Sequence, residues 1–311
     1  MNINYIIAAY NCPGQLERLI ERLNAPGVRF YLHIDKKVDI KPFRDALGHM
    51  PNLRMVDDDH RVVCRWGGIG IVHAALRCMR YIVEERRDGH CVFLSGQDYP
   101  LVSNASIAHF FEQNKTKNFI SADPLPKDDW LDGGWSRLSD YHYQRSDEKY
   151  STAQLPSLFD PAFYKGLKSN VATIVRLLIS KQIPYQILKK RDLSRILRPY
   201  GGHSWWALPV QTVQEMLQFL DEDPGYLAFF DYVHVPDEII FQSLVRELVP
   251  EGEILPSLTY TNWDDSLASP RTFICADFEE LQNLGGRYLY ARKFSEMHDE
   301  RVMSMIDDRL L

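Results

Sequence analysis

Among the residues of this chain that could do chemistry are one carboxylate and two cations. Glu238 follows Pro236-Asp237 at the head of an apolar run, where a helix is expected to begin. Proline suits a first turn and acids favour a helix N-terminus, which accounts for Asp237. A carboxylate that faces a cleft there can also act as a general base, taking a proton from a hydroxyl. Arg271, in Ser269-Pro270-Arg271, and Lys293, in Arg292-Lys293-Phe294, are basic residues in apolar or aromatic settings. Arginine grips phosphate with a planar fork and lysine acts as a point charge, so two such fixed cations suit a diphosphate. Surface solvation is the plainer reading of either one alone.

Other candidates fall at strand ends, where ligands sit in open α/β sheets. Leu94 to Leu101, LSGQDYPL, reads as the end of a buried strand (His90 to Leu94) and a proline-stopped polar turn holding Gln97 and Asp98. An Asp-x-Asp pair in such a turn would hold a divalent metal; here Asp98 stands with Gln97 before it. Asp35 ends a second strand and is placed to receive ribose or base hydroxyls. Arg65-Trp66-Gly67-Gly68 precedes a long helix, where glycines let a phosphate approach free N–H groups. No GxGxxG fingerprint or Walker A motif occurs. Asp57-Asp58-Asp59-His60 offers oxygen ligands for Mg²⁺ or Mn²⁺, although acidic clusters after a strand are more often solvated turns. In His203-Ser204-Trp205-Trp206 the two indoles would point to opposite faces of a strand, one to the core and one to a sugar-binding pocket.

The elements that must position these residues alternate. Strands are expected at 3–10, Val28 to Ile34, Leu53 to Val56, His90 to Leu94, Asn118 to Ser121 and HSWWALPV from His203. Helices are expected at Gln15 to Leu23, Gly70 to Glu85, Ser106 to Gln113, Val210 to Asp221 and Pro236 to Leu248. This β-α-β order argues for an α/β fold with a mostly parallel central sheet flanked by helices. One composite domain over 1–311 is expected, with 124–200 as an irregular, insert-like part of it.

The chain's 311 residues are enough to bury a sizeable core. Its net charge of −6 argues against a general nucleic-acid binder. The charge is uneven: residues 161–200 hold nine Lys/Arg against Asp192, a net of +8, leaving −14 for the rest. Val171 to Ile179 adds an apolar helical face, so this stretch could lie on an anionic membrane. No apolar run reaches the roughly 18 residues that span a bilayer. The first strand starts almost at Met1, and a cytoplasmic location is expected. The five cysteines are odd in number and lack a CxxC pair, so reduced thiols are expected.

Taken in order, HIDKK (33–37), RWGG (65–68), LSGQDYPL (94–101), GGHSWWAL (201–208), VPDE (235–238), TNWDD (261–265), SPRTF (269–273) and ARKFSE (291–296) resemble the core-2/I-branching β-1,6-N-acetylglucosaminyltransferase and xylosyltransferase family, glycosyltransferase family 14. The resemblance implies a GT-A-like fold and an inverting, metal-independent transfer from a UDP-sugar, GlcNAc or xylose being the expected sugar. It implies Glu238 as catalytic base, Arg271 and Lys293 on the diphosphate, and Asp35 in the nucleoside pocket. Arg65, Trp66, Gly67, Gln97 and Asp98 would complete the donor side. Asp123, Arg137, Ser204, Trp205, Trp206 and Trp263 would contact sugars. Ser295-Glu296 departs from the family, which often has Asp after Lys-Phe. The implied acceptor is a hydroxyl of a glycan or lipid-linked glycan, and no cofactor is implied. The setting would be that of a soluble bacterial-type relative, in the cytoplasm or peripheral on the cytoplasmic face of the inner membrane. Two readings compete: a metal-dependent transferase using Asp57 and Asp59 or Asp98, and a non-catalytic carbohydrate-binding protein.

Overall fold

The computed structural model describes residues 1–148, 151–263 and 269–311. Asp264 and Asp265 of the TNWDD motif lie outside the described residues. Seven strands form the central sheet, in the spatial order Ile254–Leu255, Asn118–Phe119, Ala207–Pro209, His90–Ser95, Ile3–Ala9, Val28–Ile34 and Leu53–Met55. Ala207–Pro209 runs antiparallel to both its neighbours and the other pairings are parallel. This is the α/β class with a mostly parallel sheet that the β-α-β order implies.

Alternation along the strands divides the core. Tyr5, Ile7, Phe30, Leu32 and Leu94 face one layer, packed by Pro13–Leu23, Phe278–Leu284 and Arg301–Arg309. Ile6, Tyr31, Cys91 and Phe93 face the other, packed by Gly70–Glu84, Val210–Glu222 and Ile240–Leu248. A third, smaller cluster lies under the hairpin of Tyr141–Gln144 and Thr152–Leu155, inside the irregular basic stretch. All five cysteines are free thiols. No helix among the described residues is long and apolar enough to cross a membrane.

Three expected elements differ. The strand from His203 is confined to Ala207–Pro209, so the two tryptophans precede it rather than alternate within it. The expected helix from Pro236 is a 3₁₀ turn, Pro236–Glu238, broken from the α-helix Ile240–Leu248 by non-helical backbone at Ile239. The turn after His90–Ser95 is itself a strand, Asp98–Pro100, paired with Tyr290–Arg292, which also pairs with Thr259–Thr261. This small second sheet links the end of a central strand to the C-terminal region.

Candidate active site

Glu238 ends the 3₁₀ turn with its side chain 20% exposed. Its Oε2 accepts a hydrogen bond from Arg137 Nη1 at 2.7 Å. Burial pushes the carboxyl up to about 7, the neighbouring Asp237 adds to the rise, and Arg137 opposes it. The result is a carboxylate poised near neutral pH, as a proton acceptor requires. Asp237 is buried and accepts from Ser204 Oγ at 2.5 Å.

The turn is held in a strained shape. Val235 has φ 51°, a left-handed conformation costly for a β-branched residue. Its N–H donates to Gly67 O at 2.9 Å. Gly67 has φ +72°, and a Cβ there would lie 2.9 Å from His234 Cε1. The glycine of RWGG thus lets backbone approach the segment leading into Glu238. Its neighbour Trp66 meets the same imidazole edge-on at 5.4 Å, and Arg65 turns outward to Asp147 at 2.7 Å. These contacts give the loop a part in shaping the Glu238 turn. Gly67→Ala is expected to lower the melting temperature and to slow turnover more than it raises KM, because it displaces His234. The destabilisation should be about 1–3 kcal/mol, read by urea denaturation alongside initial rates.

The other wall comes from the irregular stretch. The Arg137 guanidinium lies 3.6 Å from the centre of the Trp130 ring. A Cβ at Gly201 would meet that ring at 2.6 Å, so the glycine makes room for the indole. Gly202 N–H donates to Glu238 O at 2.9 Å. Asp123 is exposed and takes Lys127 Nζ at 2.5 Å, and the Lys127 charge also acts on Glu238. Trp130 escapes sequence reading because its partners come from three separate segments.

The structure gives new roles to several expected ligand contacts. Asp98 is fully buried, and its Oδ2 accepts from Ser95 Oγ at 2.6 Å. Its other oxygen is 3.7 Å from Arg292 Nε. It pins the turn and does not face a ligand, which removes it as a donor contact or metal ligand. Trp206 is 2% exposed and packs on Phe93 and Phe241, so it belongs to the core. Trp205 is also buried, its ring covered by the Arg292 guanidinium at 4.0 Å, and is not open to a sugar. Ser204 spends its hydroxyl on Asp237. Asp57 accepts from Tyr81 Oη at 2.9 Å and Asp58 pairs with Arg44 at 2.9 Å. With Asp59 they lie past the outer strand Leu53–Met55, and no group of three or more His, Cys, Asp or Glu suited to a metal occurs among the described residues. These acids do not fit a catalytic cation.

Other predicted residues are drawn together by backbone pairing. Arg271 N–H donates to Asn262 O at 3.0 Å, placing Arg271 beside Trp263, which is exposed. Phe273 N–H donates to Lys293 O at 2.9 Å, and Phe294 N–H to Gln97 O at 2.8 Å. Trp263, Arg271, Lys293 and Gln97 therefore lie on successive neighbouring segments. Arg271 also pairs with Asp277. Asp35 stands at the end of Val28–Ile34, almost buried, accepting from Lys37 N–H at 2.9 Å.

The residue that sequence reading passed over is Arg292. It was visible only as the neighbour of Lys293. Its guanidinium is held between Asp98 and Trp205, close enough for Asp237 and Glu238 to favour its charge against a burial that opposes it.

A Core-2/I-branching enzyme family model matches residues 3–284. The chain belongs to that family. Among curated relatives, Xylosyltransferase 2 of Homo sapiens is 24% identical over 317 residues, covering 95% of this chain and 32% of the human protein. Beta-glucuronosyltransferase GlcAT14A of Arabidopsis thaliana is 22% identical over 323 residues, covering 99% of this chain and 64% of the plant protein. This Core-2/I-branching chain thus spans about a third of the length of the xylosyltransferases it matches. Among solved structures, 4-diphosphocytidyl-2C-methyl-D-erythritol synthase from Anaerococcus prevotii DSM 20548 aligns with a TM-score of 0.39 at 11% identity, over 82% of this chain and 86% of that one.

Proposed function

We propose that this protein is an inverting glycosyltransferase that moves a sugar from a UDP-sugar to a hydroxyl of a glycan. The observation that carries the reading is Glu238, a carboxyl pushed up to about 7, held by Arg137 and still 20% exposed at its side chain. In this reading Glu238 takes the acceptor proton as the hydroxyl oxygen bonds to C1 of the sugar. The bond from C1 to the diphosphate oxygen breaks and its electron pair leaves with UDP. Arg271 and Lys293 stabilise the charge that develops there. Their place beside Gln97 at the carboxyl end of His90–Ser95 supports this assignment. Asp35, ending the neighbouring strand but one, is the acid nearest that edge for a nucleoside, which would have to displace Lys37 from its carboxylate, now 3.6 Å away. Family membership and the xylosyltransferase and glucuronosyltransferase relatives support sugar transfer as the reaction class. They leave GlcNAc, xylose and glucuronate as donors to be tried.

With fixed cations in the metal's place, transfer should proceed without a divalent ion. UDP release from a panel of UDP-sugars is expected to require an acceptor glycan and to persist in EDTA. Lys293→Ala should weaken UDP binding by about tenfold, the scale of one lost charged hydrogen bond. Unchanged affinity by calorimetry would remove Lys293 from the diphosphate. Loss of turnover in EDTA, restored by Mn²⁺, would overturn the metal-free mechanism.

A further inference from the structure

The helix Leu167–Ile179 has one broad apolar face and packs only one edge of it. Ile174 and Leu177 turn inward onto the small cluster of Leu155, Phe163 and Ile187. Leu167, Val171, Val175 and Leu178 recur at spacings of four, four and three, so they share one stripe, about a quarter-turn round the helix from Ile174 and Leu177. They are 47–50% exposed, and Ile179 and Ile183 beyond them reach 77% and 70%. A surface helix normally shows a polar outer face, and apolar ridges of this length mark interaction sites. Lys165, Lys168, Arg176, Lys181, Lys189 and Lys190 belong to the same segment and are all exposed. No acidic residue occurs between Pro161 and Arg191.

We propose that this ridge docks on the anionic face of a phospholipid bilayer, with the helix lying in the plane of the headgroups. Charge complementarity selects the surface: +8 is concentrated here, while the rest of the chain carries −14 and would be repelled. The residue types select a bilayer over a protein. Protein interfaces are depleted of lysine and rely on aromatic anchors. Here the ridge is aliphatic and the exposed cations of its segment are five lysines and one arginine, whose long stems can lie along an apolar boundary with the charge among headgroups.

The ridge is also coupled to the Glu238 turn. Gln182 Nε2, just past the helix, donates to Gln144 O at 2.7 Å in the supporting hairpin. His142 of that hairpin stacks on His234 at 4.9 Å, two residues before Pro236. The hairpin thus connects the ridge to the segment that leads into Glu238. The docking proposal does not depend on transfer and is tested without it.

Vesicle flotation tests it, using phosphatidylcholine vesicles with and without phosphatidylglycerol. The protein is expected to float with the anionic vesicles and not with the neutral ones, and to be released by high salt. The double variant Val175→Asp/Leu178→Asp should lose vesicle binding about tenfold or more while keeping its melting temperature and UDP affinity. Lys168→Glu/Lys181→Glu should weaken it through charge alone. Failure of the wild type to float with anionic vesicles would overturn the proposal, as would flotation that Val175→Asp/Leu178→Asp leaves intact. Sedimentation showing a dimer that this variant dissociates, with no vesicle binding, would assign the ridge to a second copy instead.

Discussion

Glu238→Gln is expected to abolish transfer by about 10²-fold or more while leaving UDP affinity unchanged, the scale of a lost general base. The amide keeps the shape of the side chain and can still meet Arg137, but it cannot take the acceptor proton. The same substitution should make the protein more stable above neutral pH. The folded carboxyl sits at about 7 against an ordinary 4.5, so between those values the folded state holds more protons than the unfolded one. Stability therefore falls as pH rises from about 4.5 to about 7, by roughly 3 kcal/mol at most. The glutamine variant escapes that loss. Urea denaturation at pH 8 should show a higher midpoint for the variant than for the wild type, with the difference fading towards pH 4.5. Wild-type turnover should rise through about pH 7 as Glu238 ionises. A variant that is active, or one that gains nothing at pH 8, would remove Glu238 as a buried, ionised base.

The second large effect is predicted at Arg292. Arg292→Leu leaves the Asp98 carboxylate buried beside an apolar chain, and breaking such a pair costs about 3–5 kcal/mol. The pair Asp98→Asn/Arg292→Leu should recover much of that loss, because neither charge is then left alone. Double-mutant denaturation separates this from the packing of Arg292 on Trp205, which both Arg292 variants lose. A loss of under about 1 kcal/mol in the single variant would show that water reaches Asp98 after all. Asp98 would then return as a candidate ligand contact.

The α/β class was legible because it rests on local patterns. Ile3–Ala9, Val28–Ile34 and His90–Ser95 are nearly continuous apolar runs, and Gly70–Glu84 repeats its apolar residues at helical spacing. The small sheet was not legible. Asp98–Pro100 and Tyr290–Arg292 are too short to show a period, and their pairing joins distant parts of the chain. The same limit applied to the site. Residue types and motif order named Glu238, Arg137, Arg271 and Lys293 as candidates, but could not tell which neighbours are buried. Asp98, Ser204, Trp205 and Trp206 stand in motifs that suggest ligand contact, and three-dimensional packing assigns them to the frame beneath. Trp130 and Arg292 emerge only when separate segments meet.

The pairing of Asp98–Pro100 with Tyr290–Arg292 also bears on how the molecule is made. Synthesis runs from the N-terminus, so the strands Ile3–Ala9, Val28–Ile34 and His90–Ser95 can assemble long before Arg292 leaves the ribosome. Until then Asp98 lacks its counter-charge, and neither Arg271 nor Lys293 has its place beside Gln97. The sheet can mature early, but the site proposed for the donor is completed among the last steps. Nascent chains arrested before Tyr290 should therefore hold a protected central sheet that does not yet retain UDP.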